Sequence, residues 1–474
     1  MYASTVRSPW IYVAQSGAAL AAGMGVGRFV YTPILPLMHA QAGLSAGSGA
    51  DLATANYAGY LIGALVTMLP GFARSSTVLR ISLVALTASL AAMPLTQVTL
   101  VWLALRLCAG IASAMIFVAA VSSLLSNLRE YPSHLIGWGF GGVGAGIALS
   151  GLLVLAVRTT ADWRDAWWAA AILAALLAIP SWSMHPSPGP AADVAQHDAH
   201  PSVHRWFTAL FASYTLEGIG YIIAGTFLVA AIAQSSPGWI SSGAWVLAGL
   251  AAVPSSALWA GLAKRWSRPG LLTAALTIQA VGIALPAVVG GVTAALVSAV
   301  LFGGTFLGVT NLALAAGTHL RFPRAVALLT AGYSVGQILG PIAATPLLHH
   351  GYHPPLILSA VIVLAAALAA ALLRIGFPRH VGAPVVSASP ALRVPGKRLT
   401  VVLGTASRGS AASLLPPGEG RGVGAEGVPG TVAEQKGARR TSPDDTPAPP
   451  LLAAPGTALC LASLPGSPDL PWLS

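Results

Sequence analysis

The sequence predicts an all-α membrane protein of twelve transmembrane helices in two pseudo-symmetric six-helix bundles. Three observations predict it: a composition poor in charge, a series of apolar runs of membrane length, and motifs that recur at a shared offset. Of 474 residues, 55% are hydrophobic and only 8% are charged. Soluble domains carry about 25% charged residues. The formal net charge of +11 would point to nucleic acid in a soluble protein. Here Lys and Arg gather in short loops, as membrane topology requires, and nucleic acid is not an expected partner. Cys108 and Cys460 support neither a disulfide framework nor a Cys-based metal site.

A hydrocarbon core about 30 Å thick needs roughly 20 helical residues, and its backbone groups must be paired within the segment. Runs of that kind are expected near 10–38, 52–72, 78–95, 99–125, 133–157 and 166–182, then near 206–233, 243–262, 271–289, 292–316, 325–348 and 355–375. The first run is longer than a signal-peptide core and is read as an uncleaved span. One set of loops holds Arg7, Arg74, Arg80, Arg129, Arg205, Lys264, Arg265, Arg268, Arg321, Arg324, Arg374 and Arg379; the opposite set holds Arg158 and Arg164. Positive charge stays inside, so both termini are expected in the cytoplasm and the protein in the bacterial inner membrane.

The expected domains are an N-terminal bundle (1–182), a cytoplasmic linker (183–204), a C-terminal bundle (205–377) and a tail (378–474). The linker carries His185, His197, His200 and His204, whose irregular spacing reads as a solvated connection and not a metal site. The tail is rich in Pro, Gly, Ser and Ala without a span-length apolar run, a composition expected to stay disordered.

The halves echo one another. GVGRFVYTPILP from Gly25 pairs with GIGYIIAGTFLV from Gly218, GFARSSTVLR from Gly71 with GLAKRWSRPG from Gly261, and Gly142 and Gly146 with Gly336 and Gly340. The offset is about 190 to 194 residues in all three cases, a pattern of internal repetition. With these strings on the page the chain resembles a major facilitator superfamily (MFS) transporter over residues 8 to 377. Within it, GVGRFVYTPILPLM, ANYAGYLIGAL, GGVGAGIALSGLL and EGIGYIIAGTFLVA resemble the YbfB/YjiJ-type bacterial group. The resemblance implies a rocking two-bundle carrier whose first, fourth, seventh and tenth spans line a central cavity.

A charge at membrane depth costs about 2.5 to 3.5 kcal/mol, so Arg28, Arg106 and Glu217 are the first candidates. Arg28 is either a planar fork for a carboxylate or phosphate on the solute, or a structural cation held by carbonyls or a neighbouring span. Glu217 is either the group that carries a coupling proton or an acid kept neutral or paired with an Arg. Arg106 and Gly110 resemble the superfamily's fourth-span motif, which implies proton coupling or gating; Ala109 replaces its usual polar residue. Tyr31, Tyr221 and Asn311 are expected on the cavity wall with Arg28, because the resemblance turns their spans inward. Gly142 and Gly146, and Gly336, Gly340 and Pro341, make smooth faces for helix contact. They resemble the antiporter-type Gly motif, although the fifth span lacks its Pro.

Gly139 to Gly144 matches a dinucleotide fingerprint in form, but no βαβ context surrounds it and no cofactor or metal is expected. Neither cytoplasmic repeat, GFARSSTVLR nor GLAKRWSRPG, has the acid of the superfamily's gating motif. The expected activity is proton-coupled secondary transport of a small organic solute by a monomer in the lipid bilayer. The alternative is a broad-specificity drug/proton antiporter. A membrane enzyme would need clustered polar groups at depth, and a transport-dead sensor would need an appended folded domain; the sequence offers neither.

Overall fold

The computed structural model describes residues 8–67, 69, 75–128, 130–132, 134–160, 162–184, 201–322 and 324–377. Among these residues the regular structure is helical, with no strand. Helix α1 (Pro9–Leu20) passes through a π-helical stretch, Ala21–Val26, and a turn into α2 (Tyr31–Ala42). There follow α3 (Ala46–Val66), α4 (Ser76–Ala92), α5 (Thr99–Asn127), α6 (His134–Val157) and α7 (Trp163–Ser181). Then come α8 (Pro201–Ser235), whose first turn includes His204 of the expected linker, α9 (Gly238–Leu262), α10 (Arg268–Val288), α11 (Gly291–His319), α12 (Ala325–Ala344) and α13 (His353–Leu372). His185, His197 and His200, Gly71 to Arg74 and the 378–474 tail lie outside the described residues.

Among the described residues, 10 stretches are long and apolar enough to cross a membrane, Pro9–Ala42 counting as one. Helices α3 and α7, of 21 and 19 residues, are not among them. The cause is in their composition. α3 carries Asp51, Asn56, Tyr57, Tyr60 and four glycines, and α7 opens on Arg164 and Asp165 between tryptophans.

Local chemistry sets the helix ends. The Ser45, Ser75 and Ser267 hydroxyls accept from the backbone N–H groups of Ser48 (3.0 Å), Val78 (3.3 Å) and Gly270 (3.3 Å), satisfying donors that a first helical turn leaves free. Asp162 and Asp165 close a capping box at the start of α7. Gly43 ends α2 with φ 66°, the left-handed conformation that glycine adopts without penalty.

Lipid tails are as apolar as leucine, so helices in a bilayer associate through close packing and not through a drive to leave water. The outward faces are accordingly apolar and open, as at Leu100, Ile172, Ile179 and Leu368. Between helices, glycines allow backbones to touch. Gly142 and Gly146 of α6 lie against Gly17 and Gly25, and Gly144 and Gly249 bring α6 onto α9. Gly110 of α5 meets the Asn56 backbone of α3, while Gly336 and Gly340 of α12 meet Thr215 and Ile219 of α8. Pro341 is buried in α12, one residue past Gly340.

Neighbouring glycines in α11 give an internal control. A Cβ on Gly303 would overlap the Ala248 carbonyl of α9, whereas one on Gly304 meets nothing within 4 Å. Gly303→Ala should therefore destabilise the protein by about 1–3 kcal/mol, the usual cost of overpacking. Gly304→Ala should leave the unfolding midpoint within a degree or so of the parent. Thermal unfolding of the purified variants in one detergent checks the contrast.

Candidate functional site

The site grows from the break in the first membrane-crossing stretch. GMGVG places glycines at 23, 25 and 27, and the helix widens there. The Gly27 and Phe29 N–H groups donate five residues back, to Ala22 (2.8 Å) and Met24 (3.2 Å), the pattern of a π-turn. Beyond it the Thr32 N–H bonds to the Phe29 carbonyl at 3.2 Å, three residues back, instead of reaching Arg28. Arg106 of α5 takes up what the break releases. Its Nη1 donates to the Gly27 carbonyl at 3.2 Å and its Nη2 to the Arg28 carbonyl at 3.3 Å. The Arg106 carbonyl in turn accepts from the Asn56 amide of α3 at 2.9 Å. The Arg106 guanidinium also lies over Tyr31 (5.0 Å) and Trp167 (5.9 Å), packed and almost wholly buried.

Arg28 sits in the turn so held, only 3% exposed. Its guanidinium carbon is 4.5 Å from the Tyr60 ring centre, 4.8 Å from Tyr57 and 5.6 Å from Phe29. Its Nε and Nη2 have no hydrogen-bond partner among the described residues. Phe29 continues the aromatic surface, with Trp245 and Phe306 each 6.4 Å away. Tyr221 of α8 then lies nearly parallel to Phe302 (5.9 Å), Phe306 (5.6 Å) and Tyr333 (5.9 Å).

Glu217 is fully buried one turn before Tyr221 on α8. One carboxyl oxygen accepts from the Gln279 amide of α10 at 3.4 Å; the other has no partner in the hydrogen-bond geometry, although Tyr333 lies beside it. No ion pair joins Glu217 to Arg28 among the described residues; the one ion pair found there, Arg164–Asp162, is at the surface. Tyr221 and Tyr333 lie within electrostatic reach of both buried charges.

The expected wall residues divide. Arg28, Tyr221 and Glu217 meet around one aromatic cluster. Tyr31 turns away: its hydroxyl donates to the Gly49 carbonyl at 2.8 Å and its ring stacks on Trp167. Asn311 is half-buried on α11 and bonds to Ser256 of α9. Sequence alone reads Tyr57 and Tyr60 as packing residues and does not single out Phe302, Phe306 or Tyr333, yet these rings build the cluster. Their i, i+3 and i, i+4 spacing was the available signal, and it is also the spacing of ordinary packing.

Across the cluster the two halves of the chain touch through hydrogen bonds. The Thr32 hydroxyl donates to the Gly225 carbonyl at 2.6 Å, and the hydroxyls of Tyr57 and Thr226 are 2.9 Å apart. A hollow of about 630 Å³ lies elsewhere, between α4 and α7. Leu83, Thr87, Ala88, Ala178 and Ile179 line it, so it offers almost no polar group to a solute.

A family model described as the uncharacterised MFS-type transporter YbfB matches residues 20–372. The chain belongs to that family. No curated protein matches it. Among solved structures it is similar in fold to a mutant of the nucleoside transporter NupG, with a TM-score of 0.58 and 14% identity over 76% of this chain and 99% of that one. An identity that low speaks to fold alone. This MFS-type protein is thus a multi-pass membrane protein and a secondary transporter, with a buried arginine and a buried carboxyl group set apart by aromatic rings.

The two arginines differ in what they hold. Arg106→Gln removes two hydrogen bonds from a charged donor and strands two carbonyls, at a cost on the order of 3 kcal/mol. Arg28→Gln loses ring contacts but also relieves an unpaired buried cation, so the net change should be under about 1 kcal/mol. Unfolding midpoints of the two purified variants should separate clearly, with Arg106→Gln the lower.

Proposed function

We propose that the protein couples the movement of a small organic solute to protons across the bacterial cytoplasmic membrane, working by alternating access. The observation that carries this reading is the central pair of buried charges, Arg28 and Glu217, each with an unpaired polar atom and neither neutralised by the other. An unpaired guanidinium in a dry site is a fork for an acidic group on a solute. A buried carboxyl without a cationic partner can take a proton from one side and release it to the other. Arg28 is assigned to the solute with Tyr221 as wall, and Glu217 to the proton. Arg106 and Gly110 are assigned to holding and gating the broken helix. Tyr31 and Asn311, as solute contacts, would need the wall to rearrange in another state of the cycle.

The moving parts are proposed as two six-helix bundles, residues 1–182 and 205–377, joined by the 183–204 linker and followed by the 378–474 tail. Counting α3 and α7 as spans gives twelve, which puts both termini on one side of the membrane, and the Lys and Arg bias of the loops supports the cytoplasmic side. Their position supports the count: α3 packs along α5, and Trp163 and Trp167 of α7 are buried in the core. The aromatic cluster also favours the drug/proton antiporter as a second reading, although Arg28 disfavours the cationic compounds such a carrier commonly takes.

Two measurements test the reading. Glu217→Gln keeps shape but releases no proton. In proteoliposomes it should lose accumulation driven by a pH gradient while keeping counterflow exchange, with the solute found by a thermal-shift screen. Normal gradient-driven accumulation would remove Glu217 from the proton role. Reporters fused after Arg205 and after Phe377 should both read cytoplasm; a periplasmic signal at either breaks the twelve-span arrangement.

A further inference from the structure

The central site has a composition that restricts what it can take. Arg28 and Arg106 are the buried cations near it, and they are not equivalent. Arg106 has both Nη groups committed to the Gly27 and Arg28 carbonyls. Arg28 keeps Nε and Nη2 unpaired behind the rings of Tyr57 and Tyr60. The site therefore has one cation to offer, and a buried cation without a partner is costly. Around it is a buried aromatic cluster: Phe29 meets Phe306 edge-on at 65°, and Phe306 stacks on Tyr221, whose ring lies within 17° of parallel to it. Beyond the rings, Glu217 and Gln279 each present an unpaired oxygen.

We infer that the solute is an aromatic monocarboxylate and that it moves with one proton, without net charge transfer. This rests on the proposed roles of Arg28 and Glu217. The carboxylate takes the free edge of Arg28, and its ring takes the aromatic surface. A second negative charge on the solute would find no free cation. A neutral analogue would leave Arg28 unpaired.

The proton follows from the same geometry. Tyr221 and Tyr333 are within electrostatic reach of both Arg28 and Glu217, so a bound carboxylate and an ionised Glu217 would face each other across a few rings. Two like charges in a low dielectric repel strongly, and a proton on Glu217 removes the repulsion. The groups that face Glu217 are the Gln279 amide of α10, which cannot supply a proton, and the phenols of Tyr214, Tyr221 and Tyr333; no basic side chain is among them. The balance closes: one anion binds at Arg28 and one proton binds at Glu217, so the loaded and empty centres carry the same charge. Arg106 adds a constant to both.

The test uses the full-length protein in detergent and four probes: benzoate, its uncharged isostere benzamide, the dianion terephthalate and the zwitterion phenylalanine. Calorimetric titration in two buffers of different ionisation heat reads affinity and proton uptake together. At a working pH high enough to ionise Glu217 in the unliganded protein, benzoate should bind at least tenfold tighter than the other three, with one proton taken up per benzoate. Arg28→Gln should lose at least tenfold in benzoate affinity while keeping its circular dichroism and unfolding midpoint. Glu217→Gln should bind benzoate without proton uptake.

Equal binding of benzamide and benzoate, or full benzoate affinity in Arg28→Gln, overturns the anion site. Tighter phenylalanine than benzoate would put an ammonium group on Glu217 and replace the monocarboxylate by a zwitterion. Terephthalate binding as well as benzoate would remove the single-charge limit. If none of the four binds, the aromatic-acid class is wrong, while the proton role of Glu217 is still decided by the gradient experiment. Benzoate binding that depends on Arg28 but takes up no proton overturns the charge balance and, separately, the proposed coupling role.

Discussion

The arrangement depends first on the Arg106 clip. A membrane-crossing helix can open only where something else satisfies its freed carbonyls, because no water reaches them in the hydrocarbon. Arg106 supplies two donors at the Gly27 and Arg28 carbonyls, and Asn56 fixes the α5 backbone at Arg106. Without these bonds the Gly27 and Arg28 carbonyls would be left without those donors in the hydrocarbon. Arg106, which the resemblance links to coupling or gating, braces the break in this structure. In the turn it braces, Arg28 keeps Nε and Nη2 without a hydrogen-bond partner.

Arg28 and Glu217 are both buried, opposite in sign and not bonded to each other. A direct pair would stabilise each charge but would leave neither available. The rings between them accomplish something different. Tyr57 and Tyr60 give Arg28 partial compensation through their faces, worth about 0.5–2 kcal/mol for each contact. Gln279 gives Glu217 a weak amide donor at 3.4 Å. Both groups are tolerated in the bundle with polar atoms left unpaired, which is what the proposed site would require in order to release what it binds.

Much of this was legible in the sequence, for physical reasons that also mark the limit. Arg28, Arg106 and Glu217 stood out because an ionised group in a lipid-length apolar run is expensive. The helices stood out because the backbone has few alternatives there. The aromatic cluster was not legible: a tyrosine in an apolar helix reads the same whether it lines a site or fills a core. Which face of α3 carries Tyr57 and Tyr60 inward is fixed by the contact of Gly59 and Gly110 between α3 and α5, a tertiary fact. Tyr31 was expected on the wall only because the resemblance turns its span inward; in this structure, beyond the π-turn, its hydroxyl bonds to the Gly49 carbonyl and its ring stacks on Trp167.

The two halves of the chain repeat one another, yet only the first is broken. GVGRFVY opens into a π-turn, whereas its counterpart GIGYIIA lies within α8, a continuous helix of 35 residues. The difference follows from the partner helix. α5 brings Arg106 to the break, but α11, its counterpart in the repeat, has no basic residue before His319. A break in α8 would strand carbonyls that nothing could cap. Gly218 and Gly220 are used instead to bring α8 against Tyr333 of α12 and Ser359 of α13. The repeat thus carries a cation on an opened turn in one half and an acid on an unbroken helix in the other. The asymmetry of the site follows the partner helices: Arg106 on α5 caps the carbonyls of the opened turn, and α11 offers α8 no such donor.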